Sequence, residues 1–179
     1  MRYVALIRGI NVGGNKKLSM AGLRDSMSAL GHTEVATYIQ SGNVVFTSSR
    51  DDPTELAREI EHRIKQDSGL EVSVMIRSHE ELAAVIDANP FEDAAARPTE
   101  LHVSFLSAPP DEERLREIDP RQFEPDEYRF GERVMYLRCP NGLGRSKLAA
   151  YPWERRLGLR ATSRNWNTVS KLRSMLEST

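Results

Sequence analysis

The chain has 179 residues, of which 39% are hydrophobic and 28% charged, and its formal net charge is −1. These values are typical of one globular domain or two small packed halves, and they argue against disorder and repeats. The single cysteine cannot form an internal disulfide, and the four histidines are too scattered to suggest a structural zinc site.

Neither a membrane span nor a leader is evident in the sequence. No segment reaches the roughly 20 uninterrupted apolar residues that crossing a bilayer requires. The first eight residues hold only five apolar residues between Arg2 and Arg8, too few for a signal peptide. The sequence therefore predicts a cytoplasmic protein.

Charge is segregated along the chain. Residues 1–17 carry four bases and no acid, residues 51–127 carry 21 acids and 8 bases, and residues 138–179 carry 9 bases and 2 acids. If the basic ends meet in the fold, they form a positive surface suited to an anionic ligand. Alternatively, the acidic middle only neutralises the ends.

The first 77 residues predict a ferredoxin-like half. Hydrophobic periodicity and helix-capping residues predict a strand at 4–7, a helix at 19–30, a hairpin of strands at 35–39 and 44–47, a helix from 52 to 68, and a strand at 72–76. This βαββαβ order is that of a four-stranded antiparallel sheet with both helices on one face.

The rest of the chain predicts a connector and a second half. Residues 78–99 form a helical connector that opens on a capping box, Ser78 to Glu81, and ends at Asn89 and Pro90. In residues 100–179 a βαββ order recurs, followed by C-terminal helices, the last of them capped by Thr162 and Ser163. The predicted fold class is α+β, with two similarly wired halves.

The loop from Arg8 to Lys17 is the first candidate ligand segment, because it has three glycines, two asparagines and three cations. Backbone N–H groups of such a loop, placed before a helix, can converge on a phosphate or carboxylate. The candidate ligand-binding residues are Arg8, Asn11, Asn15 and Lys16. Alternatively the glycines only make a tight turn, since the spacing matches neither the Walker nor the dinucleotide pattern.

Two C-terminal segments have similar chemistry. The segment 140–147 offers Arg145, Ser146 and Lys147 at a helix start, although Ser146 alone is also an ordinary N-cap. The segment 162–169 offers Arg164 and Asn165. Its Trp166 is better interpreted as a core anchor than as a platform for a nucleic-acid base.

The segment 38–46 adds two further candidates, Ser41 and Asn43, at the turn of the predicted hairpin. Serine, glycine and asparagine also suit the turn for purely conformational reasons. No catalytic motif is present: there is no G-x-S-x-G or H-E-x-x-H, and Cys139 fits an inert buried thiol better than an activated one.

Five sequence blocks, taken together, resemble the bacterial domain of unknown function 1697 family. They are Arg8-Gly-Ile-Asn-Val-Gly-Gly-Asn15, Tyr38-Ile-Gln-Ser-Gly-Asn-Val-Val-Phe46, Asn89-Pro-Phe91, Gly144-Arg-Ser-Lys-Leu148 and Arg164-Asn-Trp-Asn-Thr-Val169. The resemblance covers nearly the whole chain and implies a small cytoplasmic α+β protein. It assigns neither an activity nor a substrate.

These patterns give one hypothesis and two alternatives. The hypothesis is that the junction of the two halves binds a small anionic or phosphorylated ligand. The first alternative is a nucleic-acid-binding ferredoxin-like sheet, disfavoured because the third strand offers only Phe46 for stacking and the isoelectric point is about 6.4. The second is an uncharacterised enzyme that acts on the bound anion. No cofactor, metal or membrane partner is expected.

Overall fold

The computed structural model of the chain describes residues 1–11, 14 and 17–178. Contacts divide the chain into a first unit, Met1–Ala83 with Lys171–Thr179, and a second unit, Ala84–Ser170. Each unit contains a four-stranded antiparallel sheet together with helices. The α+β class predicted from the sequence is therefore confirmed.

The first unit is built on strands β1 to β4. Their bounds are Arg2–Arg8, Thr33–Tyr38, Asn43–Thr47 and Ser73–Ser78, and helices α1 and α2 are Met20–Ala29 and Pro53–Ser68. Helix α3, His79–Asp87, follows β4 directly. The chain order is β1-α1-β2-β3-α2-β4, whereas the order of neighbours in the sheet is β2-β3-β1-β4, with every neighbouring pair antiparallel.

Local side-chain chemistry starts these helices where the sequence predicts. The Ser19 hydroxyl accepts a 2.9 Å hydrogen bond from the amide of Gly22, and the Asp52 carboxylate accepts one of 2.8 Å from Thr54. The predicted capping box is also present: the Ser78 amide donates to the Glu81 carboxylate, and the Glu81 amide donates to the Ser78 hydroxyl. Each contact satisfies an amide that lacks a partner in the first helical turn.

Two helices close one face of the first sheet. In α2 the buried residues Leu56, Ile60 and Ile64 recur every four positions, so they form a single stripe. This stripe and the buried side of α1 pack against side chains of β1, β3 and β4 in one apolar cluster. His32 packs against Phe46 with the two rings tilted by 44°, and burial together with the charge of Arg50 lowers the pKa of His32.

The second unit repeats the order of elements with different lengths. Strands β5 to β8 are Leu101–Leu106, Glu127–Phe130, Val134–Arg138 and Ala161–Asn165. Helices α4 to α6 are Glu112–Arg116, Lys147–Ala150 and Trp153–Leu157, with short 3-10 turns at Glu92–Ala95, Pro120–Phe123 and Leu143–Arg145. Helix α7, Trp166–Glu177, begins in this unit and ends in the first. The neighbours in the sheet follow β6-β7-β5-β8, the counterpart of the order in the first unit.

The prediction that Thr162 and Ser163 open the last helix is wrong. Both residues lie in β8, an edge strand that pairs with β5, and the helix begins at Trp166 after a cap from Asn165. The strand has no apolar alternation because its buried residues are Thr162 and Arg164. The second unit therefore has one strand and one crossover more than the predicted βαββ half.

An aromatic cluster forms the core of the second unit. Trp153 lies at its centre, with ring centroids 4.8 to 5.8 Å from those of Phe123, Tyr128, Phe130 and Tyr151. None of the helices in the described part of the chain combines the length and apolar character that crossing a membrane requires.

Candidate functional site

The predicted ligand-binding residues fall into two sets. Those in the first unit are Arg8, Asn11, Ser41 and Asn43, and those in the second unit are Arg145, Ser146, Lys147, Arg164 and Asn165. Asn15 and Lys16 lie outside the described residues. Arg8 is exposed at the end of β1, where it pairs in register with Ser73 of β4.

The side chain of Asn11 ties two loops of the first unit together. Its Oδ1 accepts from the amide of Leu18 at 2.9 Å, while its Nδ2 donates to the carbonyls of Leu18 at 3.0 Å and Gln40 at 2.8 Å. The backbone of Asn11 has a φ of +56°, a conformation that asparagine tolerates better than most residues. Both amide hydrogens are engaged, so this side chain closes the loop.

Replacing Asn11 tests this structural role. We expect Asn11→Ala to reduce the free energy of unfolding by about 2 kcal/mol, because it removes the three hydrogen bonds and puts alanine, which tolerates positive φ less well than asparagine, at this position. Asn11→Gly keeps the backbone freedom and loses only the bonds, so its loss, measured by urea unfolding, is expected to be smaller. Equal losses in the two variants would show that the backbone conformation contributes nothing.

The hairpin turn between β2 and β3 uses its polar groups internally. Asn43 is fully buried, and its Nδ2 donates to the Tyr38 carbonyl at 3.1 Å and to the Ser41 hydroxyl at 2.9 Å. Gly42 has a φ of +81°. These contacts agree with the conformational alternative for the segment 38–46.

Ser146 lies in a buried polar network of the second unit. Its hydroxyl donates to the Asp126 carboxylate at 2.6 Å and accepts from the amide of Ala149 at 3.0 Å, and the Cys139 thiol lies 3.4 Å away. Burial raises the pKa of the Cys139 thiol, which disfavours the reactive thiolate. The network is therefore a helix cap with a buried carboxylate acceptor.

Arg164 and Asn165 lie on opposite faces of β8. Arg164 is 8% exposed and donates from Nη1 to the Thr162 hydroxyl at 2.7 Å and the Ser163 carbonyl at 2.8 Å. Burial lowers its pKa to about 10. The exposed Asn165 accepts from the amide of Thr168 at 2.8 Å and so caps α7. Because side chains alternate along a strand, Asn165 shares a face with Ser163, and Arg164 lies on the other.

A cavity of about 490 Å³ opens in the second unit. The sheet contributes Ser104, Met135 and Ser163 to its lining, and the segment around α6 contributes Tyr151 and Trp153. Pockets of about 300 to 1,000 Å³ with an apolar lining and a few polar groups are usual for small ligands. The size and lining of this cavity meet that description.

Two of the predicted segments border this cavity. The segment 140–147 contributes Leu143, and the segment 162–169 contributes Ser163. Arg155, at the exposed side of α6, also lines it. Within the described part of the chain, no group of three or more His, Cys, Asp or Glu side chains is placed to hold a metal ion.

Comparison with known proteins identifies the family. The model of a family described as protein of unknown function (DUF1697) matches residues 1–136, well over half of the chain. The chain belongs to the DUF1697 family. The family that the sequence blocks indicated is thereby confirmed, and three of the five blocks lie within the matched residues.

The DUF1697 chain is also similar to a solved structure, that of a conserved bacterial protein from Streptococcus pneumoniae. The two are 26% identical, the similarity covers 98% of each chain, and the TM-score is 0.75. No curated protein matches the chain.

The motifs found in the sequence of this DUF1697 chain do not include the cavity residues Ser104, Tyr151 and Arg155. Ser104 interrupts the apolar side chains of β5 and so resembles the outward side of a half-buried strand. The one available signal is the cationic stretch 145–156, which holds four bases and one acid.

Proposed function

We propose that this protein binds a small anionic or phosphorylated ligand and that the cavity of the second unit holds it. The observation that carries the proposal is the position of the cavity beside the cationic stretch 145–156. The charged residues that line the cavity are Arg155 and Glu154, and the stretch as a whole has four bases and one acid. An excess of positive charge close to a cavity concentrates anionic ligands there.

The cations of this stretch are available for a ligand. Arg145, Lys147 and Arg155 are exposed, and none of them forms an ion pair with the residues that the structure describes. By contrast, Glu154 is engaged, because its Oε1 accepts from the amide of Ala161 at 2.8 Å. Arg155 is the one of these three cations that lines the cavity, and it is the group that an anion there would meet first.

We further interpret each sheet as ferredoxin-like. The neighbour orders β2-β3-β1-β4 and β6-β7-β5-β8 and the antiparallel pairing support this wiring. In such a sheet the two crossover helices cover one face, so a shortened helix layer leaves a concavity on that face. The proposed ligand site in the second unit is such a concavity.

The burial of the sheet residues argues against the nucleic-acid alternative. Sheets that bind RNA present exposed aromatic side chains on an open face. Phe46 is fully buried beside Tyr3 and His32, and on the opposite face of the same sheet Leu6 and Val45 are buried as well. The first sheet therefore lacks the stacking surface which that alternative requires.

A thermal-shift panel tests the proposal. The full chain is mixed with inorganic phosphate, pyrophosphate, sugar phosphates, nucleoside phosphates and simple carboxylates. A ligand present at 100 times its dissociation constant stabilises the folded protein by about 2.7 kcal/mol, which is readily seen as a rise in Tm. No rise with any member of the panel contradicts the proposal.

Paired charge variants locate the effect. The double variant Lys147→Gln and Arg155→Gln is expected to weaken binding of the best anion at least tenfold. The control, Lys17→Gln with Lys171→Gln, removes two exposed cations from the first unit and is expected to leave the affinity unchanged. A loss confined to the control pair contradicts the assignment of the site to the second unit.

A further inference from the structure

Matching rows of side chains can be compared between the two sheets, because their neighbour orders correspond. In the first sheet Ala5 of β1 stands between Val44 of β3 and Ile76 of β4. In the second sheet Ser104 of β5 stands between Met135 of β7 and Ser163 of β8. The row Val44, Ala5, Ile76 thus corresponds to the row Met135, Ser104, Ser163.

The chemistry of the two rows differs. All three residues of the first row are buried in the apolar core under α1 and α2. In the second row, two neighbouring positions carry hydroxyl groups, and all three residues line the cavity. The second sheet therefore has two hydroxyl groups in the row where the first sheet has only apolar side chains.

Helix length explains why a cavity lies over the second row. The helices over the first sheet have 10 and 16 residues, whereas α4, α5 and α6 have 5, 4 and 5. The shorter helices of the second unit cover less of the sheet. In this unit the apolar cluster includes Met135 and Leu137 of β7, and the cavity lies beside Ser104 and Ser163.

The Ser104 hydroxyl is a polar group without a protein partner. Ser104 is 3% exposed, and its hydroxyl forms no hydrogen bond with the residues that the structure describes. The Oγ atom of Ser104 is not sealed from solvent, so this hydroxyl can donate or accept a hydrogen bond with a molecule in the cavity. Ser163, its partner in register, adds a second hydroxyl at the more exposed side.

Aromatic rings form the side of the cavity nearest α6. The ring centroids of Tyr151 and Trp153 are 4.8 Å apart, and the Trp153 Nε1 donates to the carbonyl of Leu148 at 2.8 Å. Since its only donor is engaged, Trp153 offers apolar ring surface alone to the cavity. Such surface favours a flat apolar or aromatic group.

We propose that the ligand carries a planar ring with a hydrogen-bonding edge in addition to its anionic group. The ring lies along Tyr151 and Trp153, its polar edge meets Ser104 and Ser163, and the anionic group reaches Arg155. This inference rests on the proposed function and names the class of ligand: an aromatic or heteroaromatic phosphate or carboxylate.

Matched probes test the ring separately from the anion. Phenyl phosphate is compared with inorganic phosphate, and benzoate with acetate, by calorimetric titration of the full chain. In the variant Trp166→Phe, Trp153 is the only tryptophan, so its fluorescence reports occupancy of the cavity. We expect each ring-bearing probe to bind at least tenfold more tightly than its partner and to change this fluorescence.

A variant that copies the first unit provides the second test. Ser104→Ala with Ser163→Ile gives the second row the residues that the first has at two of its three positions, Ala5 and Ile76. We expect it to fold with an unchanged or higher Tm, to bind inorganic phosphate as before, and to lose at least tenfold in affinity for phenyl phosphate. Should the variant fail to fold, the probe comparison on the unmodified chain decides alone.

The outcomes separate the two proposals. If phosphate and phenyl phosphate bind equally, the ring is not recognised and this inference is overturned, while the anion site stands. If none of these four probes binds, this inference is overturned, and the proposed function falls as well only if no member of the thermal-shift panel binds. Tighter binding of the ring-bearing probes that persists in the double variant also overturns the inference, since the ring then binds elsewhere.

Discussion

Gly42→Ala is expected to lower the free energy of unfolding by about 3 kcal/mol, the sum of backbone strain and overpacking. Gly42 has a φ of +81°, where a side chain clashes with its own backbone. A β-carbon at this position would also lie 2.9 Å from Cβ of Ile7 and 2.9 Å from Cδ1 of Ile10. The carbonyl of Gly42 accepts a 2.8 Å hydrogen bond from Ile7, so the turn cannot move away without breaking that contact.

Gly69→Ala is the matched control for this prediction. Gly69 ends α2 with a φ of +73°, close to that of Gly42, but a β-carbon added there would have no neighbouring atom within 4 Å. Its replacement is therefore expected to cost about 1 kcal/mol, the backbone strain alone. Both variants are compared by urea unfolding of the full chain. Equal costs would show that the contact of Gly42 with Ile7 and Ile10 is unimportant.

Ser146→Ala is expected to cost about 3 kcal/mol, since it removes a helix cap and leaves a buried carboxylate without its hydrogen-bond donor. Ser146 and Asp126 are 6% and 7% exposed, so water does not readily replace the lost hydroxyl. The 2.6 Å bond between them is charge-assisted, which makes it stronger than a bond between neutral groups.

The control for Ser146 is another serine at the same helical position. Ser19 caps α1 through a 2.9 Å bond from Gly22, and that contact is exposed and involves no carboxylate. Ser19→Ala is expected to cost about 1 kcal/mol, the usual value of a cap. Denaturant unfolding of the two variants isolates the contribution of Asp126. If both substitutions cost the same, the bond to Asp126 adds nothing to stability.

Much of the first unit could be predicted because its signals are local. A capping residue, a repeat of apolar residues every three or four positions and a terminal glycine all lie within one helix. Ser19, Asp52 and Gly69 therefore mark α1 and α2 in the sequence as they do in the structure. The residues that seal the core follow from the same periodicity.

Strand β8 could not be predicted in this way. Its sequence, Ala161 to Asn165, is polar and basic, and it is a strand because β5 needs a partner along its second edge. The buried face of this edge strand holds Thr162 and Arg164 in place of hydrocarbon. A pattern of hydrophobicity cannot reveal a strand whose buried side chains are polar.

The cavity could not be predicted from the sequence for a different reason. Ser104, Met135 and Ser163 are distant in the sequence, and only the strand register places them side by side. The helices over this part of the sheet are recognisable as short, but the space beneath them depends on the sheet as a whole. The sequence indicated the cations Arg145 and Lys147, whereas nothing in it marked the hydroxyl groups of Ser104 and Ser163 as lining a cavity.

The single cysteine of the chain, Cys139, can be used to measure local opening of the second unit. Cys139 is fully buried in the aromatic core of that unit, and burial raises its pKa, so a maleimide reagent reacts only when the core opens. The first unit contains no cysteine, so its local unfolding does not contribute to the alkylation rate. The rate of alkylation, followed by mass spectrometry, therefore measures how often the core of the second unit opens, and it needs no engineered label.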